Sequence, residues 1–153
     1  KSKTSMVNMK NRYRNHQAKF HFLGFKFHLR AFRDNPKRFW IARQPSNRAR
    51  LALRENLKSE LKPNLSRDVV RQQVIQIWRG WSNYFRFGNS NHIFYKELRS
   101  LHNIVRWYLR RKYRHGRHPM KWRRLCRIEK QILYGIKPMK VLPGYLGQQP
   151  LLL

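Results

Sequence analysis

Acidic residues are scarce in this chain. Its 153 residues hold 6 Asp and Glu against 36 Lys and Arg, a formal net charge of +30 with a pI near 11.7. Small soluble domains usually carry about 2 to 8 net charges, so this surface repels itself unless a polyanion neutralises it. The six acids are Asp34, Glu55, Glu60, Asp68, Glu97 and Glu129, with no adjacent pair and no pair four apart on a helix. Two-metal phosphoryl chemistry needs clustered carboxylates, and the chain by itself lacks such a cluster. Cysteine is nearly absent too: Cys126 stands alone, which excludes an intramolecular disulfide framework and a Cys-rich zinc site. The loop histidines His115 and His118 with Cys126 make three irregularly spaced ligands where structural zinc wants four, so no metal site is expected. No apolar run approaches the roughly 18 to 20 residues that span a bilayer, and Lys1-Ser2-Lys3-Thr4-Ser5 has no signal-peptide character, so the expectation is a soluble intracellular protein that engages no membrane.

Apolar and aromatic residues, by contrast, are plentiful. Hydrophobic residues make up 41% and aromatics 14%, with five Trp and nine Phe, far more than a disordered basic tail carries. The length suits one domain or one and a fraction. Between Thr4 and Arg43 the pattern is short-period and aromatic: Phe20, Phe22, Phe25, Phe27, Leu29 and Phe32, then Asp34-Asn35-Pro36, then Phe39-Trp40-Ile41. Asp-Asn-Pro is turn chemistry, and the flanks predict an antiparallel hairpin or meander, with Thr4 to Met9 as a further strand. His16, His21 and His28 fall at strand positions. So small a sheet is marginal alone, and the chain opens on Lys1, so it is expected to be a piece of a longer protein.

From Ser46 the period becomes helical. Ser46 caps a first helix to Leu61, in which Ala49, Leu53, Leu57 and Leu61 recur before Pro63 stops the run. Ser66 caps a second helix, Arg67 to Phe87, with Asp68 at its positive dipole end and a stripe of Val70, Val74, Ile77, Trp78, Trp81 and Phe85. A third helix runs His92 to Tyr113 on Phe94, Leu98, Leu101, Val105 and Tyr108, and a shorter one Met120 to Leu133, before an irregular Pro- and Gly-containing tail. The fold class is therefore mainly α with a small N-terminal antiparallel β segment, a three-helix antiparallel bundle and a short C-terminal helix. The core should take Leu53, Leu57, Val74, Ile77, Trp78, Trp81, Phe85, Leu98, Leu101 and Val105, with Cys126 as a small buried residue.

Cations concentrate late in the chain, at Arg106, Arg110, Arg111, Lys112, Arg114, Arg117, Lys121, Arg123, Arg124 and Arg127. A merely solvated helix face carries both signs and i, i+4 partners, whereas here Glu129 is the only acid after Glu97. Such a patch releases counterions from nucleic-acid phosphates. Across the whole chain, 22 arginines against 14 lysines favour bidentate phosphate contacts. Trp78, Trp81, Tyr84 and Phe85 could stack unpaired bases, but their spacing is that of a core stripe. Arg79, Asn83 and Arg86 leave that stripe on the opposite side, within reach of phosphate, sugar or base edge, and Arg48 joins them at the start of the first helix.

Phe22-Leu23-Gly24-Phe25 before a hairpin, Pro45-Ser46, Arg79-Gly80-Trp81-Ser82-Asn83-Tyr84-Phe85 and Gly88-Asn89-Ser90 resemble the C-terminal part of a bacterial group II intron reverse transcriptase/maturase. The resemblance runs from Lys3, whose Lys3-Thr4 resembles the pair before the last palm strands, to about Lys112. It implies that 1–44 end the palm, 45–135 form the thumb or X maturase domain, and 136–153 are an irregular tail. It also implies an RNA-binding module that helps intron RNA splice and, in the full-length protein, holds template-primer. The partners implied are group II intron RNA or other structured RNA, an RNA/DNA duplex, and the upstream fingers and palm, in a bacterial cytoplasmic ribonucleoprotein. The family's Tyr-x-Asp-Asp is absent from this sequence, and no Cys-rich or His-Asn-His endonuclease pattern follows the tail. The segment is thus expected to be no enzyme and to need no cofactor, with Mg2+ serving the full-length polymerase and the intron RNA. A structural RNA-packing protein of the ribosomal kind is the alternative reading of the charge.

Overall fold

Alternating aromatic and polar residues between 19 and 45 build three strands, and helical periodicity builds the rest. The computed structural model describes residues 12–13, 16–17, 19–35, 37–114 and 120–139. The expected strand at Thr4 to Met9, the loop residues 115–119 including Arg117, and the tail from 140 lie outside the described residues. Strands β1 (Arg12–Tyr13) and β2 (His16–Gln17) pair with each other, which puts His16 at a strand position as expected. β3 (Lys19–Phe22), β4 (Phe25–Ala31) and β5 (Phe39–Pro45) form an antiparallel sheet in that order.

The β3–β4 connection is a two-residue turn in which Leu23 (φ 46°) and Gly24 (φ 76°) are both left-handed, the requirement of a hairpin turn that follows the sheet's twist. Phe22 pairs with Phe25 across it, and Phe20 stacks on Phe27 at 4.6 Å. The turn is held from outside: Tyr84 Oη donates to Leu23 O at 2.9 Å, and Ser46 N donates to Gly24 O at 2.8 Å. Between β4 and β5, Lys37 N donates to Asn35 Oδ1 at 3.0 Å, so the expected turn is built on the asparagine side chain.

The helices are α1 (Asn47–Glu60), α2 (Arg67–Phe85), α3 (Asn91–Lys112) and α4 (Trp122–Ile132). Ser46 Oγ accepts from Ala49 N and Ser66 Oγ from Val69 N, the caps their positions predict. α2 ends two residues before the expected Phe87, because Gly88 N turns back to Phe85 O. Gly88 then passes so close to the sheet that a Cβ on it would lie 2.6 Å from Arg43 O. This approach lets Asn89 cover the free edge of β5: its backbone N donates to Arg43 O at 2.7 Å, and its Oδ1 accepts from Arg43 N at 3.3 Å. The edge of β5 is thereby capped at Arg43.

Leu53 and Leu57 of α1, Val74, Trp78 and Phe85 of α2, and Leu101 and Val105 of α3 are buried in one core with Phe94, Tyr108, Ile128 and Ile132. Ile77, Trp81 and Leu98 are half-buried against it. Aromatic rings tie the sheet to the bundle, with Phe25 edge-on to Phe85 at 4.7 Å and Trp81 against Phe85 at 4.9 Å. Trp78 Nε1 donates to Lys137 O at 3.1 Å and Tyr108 Oη to Leu65 O at 3.1 Å, so the buried polar atoms of both rings are satisfied.

Candidate nucleic-acid interface

Helix α3 contains one acid, Glu97, and α4 contains one, Glu129. Both turn inward. Glu97 has a fully buried side chain that accepts from Arg50 Nε at 2.6 Å, Arg54 Nε at 2.7 Å and Arg54 Nη2 at 2.8 Å, pinning α3 to α1. Glu129, with 4% of its side chain exposed, accepts from Arg106 Nε at 2.6 Å, and His102 Nδ1 stands 2.7 Å from its other oxygen, pinning α4 to α3. The hydrogen bond from Arg106 to this carboxylate, with its charge, raises the pKa of that guanidinium further.

With both acids hidden, the outward surface of these two helices is basic. Lys96, Arg99, Arg110, Arg111 and Arg114 are exposed on and just after α3, and Lys121, Arg123, Arg124, Arg127 and Lys130 on or beside α4. The last turn of α3 gathers Arg110, Arg111 and Lys112, where cations meet the negative end of the helix dipole. The dipole offsets part of the mutual repulsion of these cations, and a polyanion would offset the rest.

The structure divides the anticipated contact residues. Arg48, Arg79, Asn83, Arg110, Arg111, Arg114, Arg123 and Arg124 are exposed. Three others have work inside the protein. Arg106 binds Glu129; Lys112 Nζ donates to Pro63 O at 3.1 Å and to Leu65 O, holding the α1–α2 connection; and Arg86, half-buried beyond the end of α2, lays its guanidinium 4.9 Å from the Phe87 ring centre. Arg43 likewise donates from its guanidinium to Phe87 O. Arg79 and Asn83 stand on α2, whose Gln76, Gly80 and Tyr84 border an open groove of about 510 Å3 shared with Ala49 and Ala52 of α1. Cys126, expected to be buried, is half-buried.

Sequence reasoning missed two aromatic residues at this surface. Trp107 is 44% exposed and Trp122 51% exposed. Arg111 lies over the Trp107 ring at 4.6 Å, and Arg110 over Trp122 at 5.2 Å. The signal available was that Trp107 stands off the stripe formed by Leu101, Val105 and Tyr108.

A second cationic group surrounds the start of α3. His28 has its pKa lowered to about 4, first by burial and then by the positive Lys26, Arg30 and His92. His92 is lowered as well, by burial and by Arg30, Lys96 and Arg50. Burial and the neighbouring cations of β4, α1 and α3 thus both disfavour protonation of these two imidazoles.

Among the described residues no three His, Cys, Asp or Glu side chains gather as a metal site, and no helix is long and apolar enough to cross a membrane. Neither the curated proteins nor the solved structures give a match. A family model does: group II intron, maturase-specific domain, over residues 48–127, just over half of the chain. That span starts in the first turn of α1 and ends within α4, two residues before Glu129, so it takes in Glu97 and most of the exposed cations of the basic surface. This chain belongs to the group II intron maturase-specific domain family.

Proposed function

We propose that the chain binds group II intron RNA through the outer faces of α3 and α4, with Arg48, Arg79 and Asn83 as further contacts, and so assists splicing. The observation that carries this reading is the inward placement of Glu97 and Glu129, which leaves exposed cations on both helices with no acid of those helices at the surface. Folded RNA brings phosphates close together. A rigid cationic surface lowers that repulsion and favours the compact RNA, while the RNA and its Mg2+ supply the chemistry. The chain's part is binding rather than phosphoryl transfer.

In a longer protein, the strands up to residue 44 would complete a polymerase palm, and the helices would serve as its thumb, holding template-primer, within a cytoplasmic ribonucleoprotein. The hydrogen bond from Tyr84 to the Leu23 turn and the Asn89 bridge to β5 support such a rigid sheet–helix junction. The test is the splicing rate of the cognate intron at limiting Mg2+, with and without the chain. Stimulation that saturates with protein is expected. RNA that binds the protein yet splices no faster at any protein concentration would overturn the splicing role.

A further inference from the structure

We propose that the end of α3 and the start of α4 form a stacking site for unpaired RNA bases, built from Trp107 and Trp122 with Arg111 and Arg110. The inference rests on the RNA-binding reading above and narrows it, at this end of the bundle, to single-stranded elements. Both rings are large apolar surfaces left about half in water, at 44% and 51% exposure, although the same chain buries Trp78 and half-buries Trp81. Each carries a guanidinium near its face, at 4.6 Å for Arg111 on Trp107 and 5.2 Å for Arg110 on Trp122. A cation is drawn to the ring quadrupole and covers part of one face, while the exposure of each indole leaves further ring surface available to a ligand.

The two stacks leave one turn of α3. Trp107 and Arg111 are four residues apart on that helix, while Arg110 reaches across to the first residue of α4. Adjacent helical residues diverge by about 100°, so the stacks occupy neighbouring directions, and a flexible strand can pass from one to the other. Arg114, Lys121, Arg123 and Arg124 are exposed around them, and Glu129, the one acid of α4, is buried in its ion pair. Phosphate-binding cations beside aromatic faces are the combination that single-stranded nucleic acid requires. A duplex keeps its base faces inside its own stack and offers only edges and phosphates. Free ring faces therefore serve loops, bulges and splayed ends.

The test uses Trp107→Leu, Trp122→Leu and the double variant in the full chain, with thermal melting as the fold control. Affinity is measured for a short single-stranded purine-rich RNA and for an RNA hairpin stem of equal phosphate number, at several salt concentrations. Each lost stack should weaken single-strand binding about 5- to 150-fold. Stem binding and the salt slope should not move, because no cation is removed. Trp107→Tyr and Trp122→Tyr, which keep an aromatic face, should restore most of the loss. Leu variants that hold the single strand as tightly as the parent, or that weaken strand and stem alike, would overturn the proposal. A parent chain that binds neither RNA would instead overturn the RNA-binding reading beneath it.

Discussion

Replacing Glu97 by Gln should separate stability from binding. The carboxylate is fully buried and accepts three guanidinium hydrogen bonds, from Arg50 at 2.6 Å and from Arg54 at 2.7 and 2.8 Å. Glutamine keeps the shape, removes the charge and turns an N–H2 group toward a guanidinium. Breaking a buried ion pair costs about 3 to 5 kcal/mol. The lower end applies here, because Arg50 and Arg54 retain 22% and 32% side-chain exposure and can regain water. A loss of about 3 kcal/mol corresponds to roughly 6 to 12 °C in Tm at this chain length. Urea and thermal unfolding followed by far-UV circular dichroism measure it. Below the transition, the released arginines leave RNA affinity equal or higher, so stability and binding move apart. A Glu97→Gln variant within about 0.5 kcal/mol of the parent, the range of ordinary surface substitutions, would refute the claim that this carboxylate clamps α3 to α1.

Gly88→Ala places a Cβ 2.6 Å from the backbone oxygen of Arg43; the overpacking should cost about 1 to 3 kcal/mol and speed amide exchange at Arg43, read by hydrogen exchange with mass spectrometry. His28 gives a pH signature. Its folded-state pKa of about 4 lies below the ordinary 6.5, so the unfolded chain takes up the proton first as pH falls. The stability it contributes is complete above pH 6.5 and declines toward pH 4. Denaturant midpoints across that window should flatten in His28→Gln, and an equally steep decline in the variant would assign the effect to other groups.

What the sequence disclosed followed the range of the interaction. Caps at Ser46 and Ser66, the stop at Pro63 and the apolar stripes of α1, α2 and α3 are set by neighbours within a turn or two, and the boundaries lie within two residues of where those signals put them. The roles of the two acids are set by partners far along the chain. Glu97 meets arginines 43 and 47 residues away, and Glu129 meets Arg106 across 23 residues. No local spacing announces such pairs. For the same reason Arg106 and Lys112 look like members of a basic run in the sequence, and their inward bonds appear only when the helices pack. Trp107 and Trp122 invert the usual expectation for tryptophan, because exposure here follows the angular position of each residue on its helix.

The most direct test of the α3–α4 surface compares the parent with an Arg110/Arg111/Arg123/Arg124→Ala variant in binding to the cognate intron RNA as salt is varied. If about 6 to 10 phosphates are engaged, parent affinity should fall by roughly three to five decades between 50 and 200 mM salt. The variant, with an unchanged far-UV spectrum, should bind more weakly, with a log–log slope shallower by roughly 3 to 4 units, close to one for each lost phosphate contact. A parent with a shallow salt response, or a variant with the parent's slope and affinity, would contradict the assignment of RNA binding to this surface.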